Sequence, residues 1–291
     1  MSQFKIFINL TRLNKPIGFM LLFWPCSWGL GLAFYYDQNL IIFIQSLFLF
    51  FLGSVMMRSA GCIVNDIVDK DLDRKVKRTK NRPIAANKIS VKMSLAYVFI
   101  LCFLSLLILI QFNYLTILLG VGSMFLAFSY PFMKRFTYWP QLFLGLTFNW
   151  GIIMAWTSIM NYISPEILIL YLAAIFWTLG YDTIYGTQDI IDDEIIGIKS
   201  TSIKFKSKLK PFVTLCYLLT SILLIYIFND KMNLLLSIFF IIIFIFSLIY
   251  QIMTFISNNP QSCLKAFKFN NFSGLMLFCA FSTLSLKLGA Q

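Results

Sequence analysis

The chain has 291 residues, of which 59% are hydrophobic and only 12% charged. A soluble protein carries about 25% charged residues, so the composition is that of an integral membrane protein. Histidine is absent, which excludes Ser-His-Asp triads, His-ligated zinc or haem, and imidazole acid–base catalysis.

In chain order, nine apolar segments have the roughly 17–25 residues a span needs. They lie near 17–35, 40–63, 91–110, 114–132, 140–160, 165–184, 211–228, 232–256 and 272–289, the fifth and sixth separated only by an Asn161–Ser164 turn. The first run is full length and lacks a small-residue cleavage site, so no cleavable signal is expected. With the N-terminus in the cytoplasm, 21 of the 24 lysines and arginines fall inside. Lys231 and Lys287 fall outside, and Arg58 sits in the cytoplasmic half of the second helix. That asymmetry follows the positive-inside rule. The net charge of +12 therefore reflects topology and contact with anionic lipid rather than a nucleic-acid partner. Six scattered cysteines, with no C-x-x-C pair, are expected to be small hydrophobes in helices.

Nine of the twelve acidic residues form two clusters where the chain leaves the membrane: Asp66, Asp69, Asp71 and Asp73, then Asp182, Asp189, Asp192, Asp193 and Glu194. Carboxylates at a bilayer centre cost roughly 2.5–3.5 kcal/mol each. Gathering them is reasonable if something positive, most simply metal ions, is bound between them. If the second helix runs through the first cluster, Asn65, Asp66, Asp69 and Asp73 share one arc and Asp71 points away. In the second cluster, Asp182, Tyr185, Asp189 and Asp193 share a face and Glu194 does not. Like charges at i,i+4 are poor helix design, but hard oxygen ligands suit Mg²⁺. Four spans separate the clusters, so both emerge on one side and can converge. Ordinary solvated loops would explain one such cluster but not two on the same side. An EF-hand is excluded by the missing glycine and twelfth-position glutamate.

These residues resemble the UbiA superfamily of intramembrane aromatic prenyltransferases. The match is Asn65-Asp66-x-x-Asp69-x-x-x-Asp73 in the first loop and Asp189-x-x-x-Asp193 in the second. The bacterial 4-hydroxybenzoate polyprenyltransferase branch of ubiquinone synthesis is the nearest in pattern. Its hallmarks include Lys15-Pro16-Ile17-Gly18, Met57-Arg58 through Cys62, Tyr130-Pro131 through Gln141, Tyr181-Asp182-Thr183 and Lys199-Ser200-Thr201. The similarity runs from residue ~12 to ~285, with Ser202 standing where alanine is more usual.

The resemblance implies an all-α fold, a single membrane-embedded domain over 1–291. In it, nine transmembrane helices surround a central cavity under cytoplasmic cap loops, in a bacterial inner membrane. It implies transfer of a polyprenyl group from polyprenyl diphosphate to 4-hydroxybenzoate, ortho to the hydroxyl. Asp69, Asp73, Asp189 and Asp193 would hold Mg²⁺, assisted by Asn65 and Asp66. Lys134 and Arg135, with Lys77 and Lys199, would bind diphosphate oxygens. The phenol proton would pass to Asp66 or Asp189. Asp182, Tyr185 and Tyr130 would line the substrate cavity. The acceptor's carboxylate needs a cation; Arg58 is the first choice, Arg12 the second, with snorkelling to the interface the ordinary alternative for Arg58. Rival functions are a sister prenyltransferase with another aromatic or haem acceptor, and a divalent-cation transporter. Transporter sites usually sit near the midplane on broken helices, whereas these acids cluster at helix ends.

Overall fold

The computed structural model describes residues 2–231 and 235–286. Its elements in order are α1 (Gln3–Thr11), α2 (Ile17–Asp37), α3 (Leu40–Val68), α4 (Lys70–Asp73), α5 (Val91–Leu109), α6 (Tyr114–Ser129) and α7 (Met133–Phe136). There follow α8 (Pro140–Met160), α9 (Pro165–Gly186), α10 (Ile190–Ile195), α11 (Thr201–Lys204), α12 (Leu209–Phe228), α13 (Leu235–Thr254) and α14 (Pro260–Thr283). The helix starts follow from local chemistry. Asn39, Ser90, Asn113 and Ser164 each accept a hydrogen bond from a backbone N–H of the first turn. Pro140, Pro165 and Pro260 occupy first-turn positions, where a missing N–H costs nothing.

Among the described residues, eight helical segments are long and apolar enough to cross a membrane: α2, α3, α5, α6 continued through α7, α8, α9 continued through α10, α12 and α13. The expected ninth span differs. Helix α14 begins at Pro260 rather than near 272, because Asn259 caps it by accepting from Gln261 and Ser262 at 3.0 and 3.2 Å. Its first half carries Lys265 and Lys268, and its middle carries Asn270 and Asn271. Those amides point inward instead of into lipid. Lys287, the start of the eighth span (232–234) and the end of the ninth (287–289) lie outside the described residues.

Helix α2 is the buried centre, packed between α8, α3 and α14, with Trp28, Leu30 and Leu32 no more than 1% exposed. Lipid and leucine are equally apolar, so helix association in a membrane relies on close backbone approach and interhelical hydrogen bonds. Both are present. A Cβ on Gly29 would stand 2.5 Å from the Ile152 carbonyl of α8, and one on Gly31 would stand 2.8 Å from Phe281 Cβ of α14. The Trp177 indole donates to Asn270 Oδ1 at 2.8 Å, and Asn270 donates to Gln251 Oε1 at 2.8 Å. The Tyr217 hydroxyl donates to the same Gln251 oxygen at 2.8 Å. This chain of bonds joins α9, α14, α13 and α12. All six cysteines are free, as expected of apolar packing residues.

Replacing Asn270 by Leu should strand the Trp177 N–H and one face of Gln251 inside the bundle. The expected loss is about 1–2 kcal/mol, measured as a lower unfolding midpoint of the detergent-purified protein. A midpoint equal to wild type would mean that the network contributes nothing to the packing of these four helices.

Candidate active site

Helix α3 ends at Val68, and Asp69 sits at a break (φ −96°, ψ 6°) before α4, so the first cluster is not one continuous α-helix. The helical pitch survives the break. Asp69 N–H donates to the Asn65 carbonyl at 2.9 Å, and Asp73 N–H to the Asp69 carbonyl at 2.8 Å. Asp66, Asp69 and Asp73 therefore keep a common direction and are all buried, whereas the Asp71 side chain is 87% exposed. The second cluster passes from α9 through a 3₁₀ turn at Thr187–Asp189 into α10.

Both clusters line one cavity of about 1340 Å³. Asn65, Asp66, Asp69, Asp73, Asp182, Tyr185, Asp189 and Asp193 all contribute to it, together with Arg58, Tyr130 and Lys134. Arg78, from the loop after α4, ties that loop to the second cluster. Its Nε donates to Asp189 Oδ1 at 2.8 Å, its Nη2 pairs with the same carboxylate, and its Nη1 reaches the Tyr185 hydroxyl at 3.1 Å.

The buried acids of the first cluster are compensated in the same way. Asp66 meets Arg12 at 2.5 Å and Arg82 at 3.1 Å, and Arg82 also bridges to Asp73 at 2.8 Å. Asp69 pairs with Lys134. Burial pushes the Asp73 carboxyl above its ordinary range; Arg82 pulls it back, and Asp66 and Asp69 add to the rise. Arg12 reaches its partner because it adopts the left-handed C-cap geometry of α1 (φ 56°), which turns the chain back toward α3.

Three expected diphosphate ligands do not line the cavity. Lys77 is exposed on the loop surface. Arg135 donates to the Val68 carbonyl at 2.8 Å and stands 3.8 Å from Asp69. Lys199 Nζ donates to the Phe136 carbonyl at 3.3 Å, while its N–H binds the Lys134 carbonyl at 2.9 Å. Lys199 thus ties the second loop to α7. Arg78 and Arg82 take the cavity positions instead. The chain from 74 to 89 folds as turns rather than a helix, so no periodicity reveals which of its basic residues face inward.

Arg58 faces the cavity and forms no salt bridge among the described residues. Its guanidinium lies 5.1 Å from the Phe148 ring centroid, and its Nε is buried with no hydrogen-bond partner among them. Gly18 leaves it room, since a Cβ there would come within 3.1 Å of Nε. The other end of the cavity is apolar, lined by Leu22, Leu49, Phe50, Leu109, Val121 and Met154.

The cavity's acid donors are all hard oxygens, and Asp69 Oδ1 is buried with no hydrogen-bond partner among the described residues. This chemistry fits a cation of the Mg²⁺ type. Among the described residues no three acidic or cysteine side chains stand close enough together to hold an ion; arginine and lysine nitrogens fill the spaces between them.

Residues 22–274 match the UbiA prenyltransferase family. The chain belongs to that family. It is 46% identical over 209 residues to the mitochondrial 4-hydroxybenzoate polyprenyltransferase of Homo sapiens, covering 72% of this chain and 56% of the relative. The Arabidopsis thaliana protein of the same name is 45% identical over 209 residues, covering 72% and 51%. The chain thus spans about half the length of the curated relatives it matches. Among solved structures, the apo form of a UbiA homolog from Aeropyrum pernix K1 superposes with a TM-score of 0.76 at 20% identity, covering 90% of this chain and 96% of that one. A UbiA homolog from Archaeoglobus fulgidus bound to GPP and Mg²⁺ gives 0.71 at 20% identity, covering 97% and 100%. The fold of this UbiA-family chain is therefore shared with both.

Breaking the cationic lattice should cost more than breaking a surface pair. Arg82→Leu, which uncovers two buried carboxylates, should destabilise the protein by about 2–4 kcal/mol. Lys206→Leu, whose partner Glu194 is 39% exposed, should cost less than about 1 kcal/mol. Thermal unfolding of the two variants in one detergent compares them directly, and equal midpoints would contradict the assigned roles.

Proposed function

We propose that this chain transfers a polyprenyl group from polyprenyl diphosphate to the ring of 4-hydroxybenzoate, ortho to its hydroxyl, and releases diphosphate. The step belongs to ubiquinone synthesis. The observation that carries the proposal is the meeting of two acid clusters in one cavity, which also holds an apolar end and an Arg58 that forms no salt bridge among the described residues. The curated relatives support the acceptor, and the family supports prenyl transfer.

Asp69, Asp73, Asp189 and Asp193, assisted by Asn65 and Asp66, would hold Mg²⁺, and the ion would supply positive charge to the departing diphosphate. The UbiA homolog structures with Mg²⁺ bound support a divalent ion. The cavity's own cations act alongside. Arg78, Arg82 and Lys134 are fixed at the acid end, where diphosphate charge grows as its bond to carbon breaks. Fixed cations aimed at growing charge stabilise the transition state without reorganising. Arg135 and Lys199 support this end by holding backbone around Lys134 and Asp69; Lys77 stays on the surface. Asp182 and Tyr185 continue the acid wall.

The allylic carbon left behind is attacked by the electron-rich ring carbon beside the phenol hydroxyl. The new carbon–carbon bond forms as the carbon–oxygen bond to diphosphate breaks. Asp66 or Asp189 takes the phenol proton as the ring attacks; loss of the ring proton then restores aromaticity, the oxygen regains a proton, and one proton in all leaves with the diphosphate. Arg58 holds the acceptor's carboxylate, with Phe148 beneath the guanidinium and Tyr130 at the same wall. A carboxylate ligand satisfies the Nε that lacks a partner. The apolar end takes the first isoprene units. We place the protein in a bacterial inner membrane with its N-terminus and acid loops cytoplasmic, the orientation that its basic residues favour.

Membranes carrying the protein, given labelled 4-hydroxybenzoate, polyprenyl diphosphate and Mg²⁺, should form a prenylated acid identified by mass; a product only with another acceptor would overturn the assignment. Asp69→Ala and Asp189→Ala should each lower turnover by at least about a hundredfold, and so should chelation of the divalent ion. Wild-type rates in either variant would remove the acid clusters from the reaction. Arg58→Ala should raise the KM for 4-hydroxybenzoate by roughly tenfold or more while leaving that for the diphosphate nearly unchanged. A rise confined to the diphosphate KM would move Arg58 to the donor site.

A further inference from the structure

A second pocket of about 380 Å³ lies at the opposite end of the helices from the acid clusters. Here α2 and α12 finish and α9 begins. Its walls are Tyr36 of α2, Trp156 of α8, Tyr162 of the following turn, Glu166 of α9, Tyr226 of α12 and Lys231 just beyond. Trp156 is only 1% exposed. Its ring meets Tyr36 and Tyr162 nearly at right angles, 84° and 86°, with centroids 5.7 and 5.8 Å away. The three rings form a corner of aromatic walls.

The charges in the pocket balance. Glu166 and Lys231 pair at 2.5 Å, with side chains only 20% and 12% exposed. The Tyr36 hydroxyl donates to Glu166 Oε2 at 2.8 Å, and Lys231 Nζ stands 5.9 Å from the Tyr36 ring centroid. One donor is unspent among the described residues: the Trp156 indole N–H is buried and has no hydrogen-bond partner there. A buried N–H without an acceptor is costly. Beside a polar pocket, it points to an acceptor that comes from outside the chain.

We propose that this pocket binds the head group of a zwitterionic aminophospholipid, taking its phosphate and its ammonium together. The phosphate accepts from the Trp156 N–H and Lys231. The ammonium faces Glu166 and the ring walls, which attract cations through their faces. A ligand with one charge of each sign can enter a neutral acid–base pair and leave no group uncompensated. An anionic head group would place a second negative charge beside Glu166. The site stands where spanning helices meet the head-group layer, the depth at which tyrosine and tryptophan concentrate. The proposal needs only that these helices cross a bilayer, and is independent of the proposed reaction.

Native mass spectrometry of the full chain in mild detergent tests it. Dioleoyl-phosphatidylethanolamine and dioleoyl-phosphatidylglycerol are the lipid probes, and O-phosphoethanolamine and inorganic phosphate are the soluble competitors. The ethanolamine lipid should be retained in preference to the glycerol lipid, and O-phosphoethanolamine should displace it where inorganic phosphate does not. Trp156→Phe keeps a ring and removes the N–H; it should weaken retention by roughly three- to tenfold with prenyl transfer unchanged. Glu166→Gln should erase the preference between the lipids. Tyr162 is 49% exposed, so Tyr162→Leu is a variant that should fold and should also weaken retention. Equal retention of both lipids by the wild type would overturn the proposal, as would retention insensitive to Trp156→Phe and Tyr162→Leu. Competition by inorganic phosphate as strong as that by O-phosphoethanolamine would make the pocket an anion site and overturn it as well.

Discussion

Carboxylates at the edge of a membrane survive only if something compensates them, and that requirement organises this protein. Asp66, Asp69 and Asp73 are almost wholly removed from solvent. Each is met by guanidinium or ammonium groups drawn from elsewhere in the chain: Arg12 before the first span, Arg82 in the first loop and Lys134 in the short helix after α6. Removing a partner from such a buried pair costs far more than the pair contributes over an apolar replacement. The lattice is therefore a commitment to function made at the expense of stability. A site built to neutralise a polyanion can tolerate this, because ligand and metal can later share the same nitrogens and oxygens.

The helical frame makes the convergence possible. Close glycine contacts bring α2 against α8 and α14, and hydrogen bonds run from Trp177 through Asn270 and Gln251 to Tyr217. These interactions hold α3 and α9 so that their acidic ends open onto a common cavity. The polar network also accounts for the unusual last helix. Asn270 would be costly against lipid, yet it is fully buried among partners.

Much of this was legible in the sequence. Hydrophobic runs located eight of the spans. Helical phase separated inward Asp66, Asp69 and Asp73 from outward Asp71, and the phase held through the break at Asp69 because the i→i−4 bonds persist there. Phase gave no guide where the backbone is not helical. In the turns from 74 to 89, Lys77 was the expected ligand, but Arg78 and Arg82 face the acids. Lys199 and Arg135 were expected at the ligand and instead bind backbone carbonyls. Whether a lysine meets an anion or a peptide oxygen depends on tertiary packing, which spacing does not encode. An apolar run does not mark the start of α14, because that start carries the exposed Lys265 and Lys268, and because Asn270 is polar yet satisfied inside the bundle.

The bond between Arg78 and Asp189 spans 111 residues of chain, and this separation bears on biogenesis. The first loop leaves the ribosome well before Asp189 has been made, so Arg78 emerges with its final counter-charge still unsynthesised. Closure of the cavity mouth is thus one of the late events of membrane insertion. A nascent chain halted before α9 would hold its first acids and its anchoring helices, yet have no second wall to its vestibule.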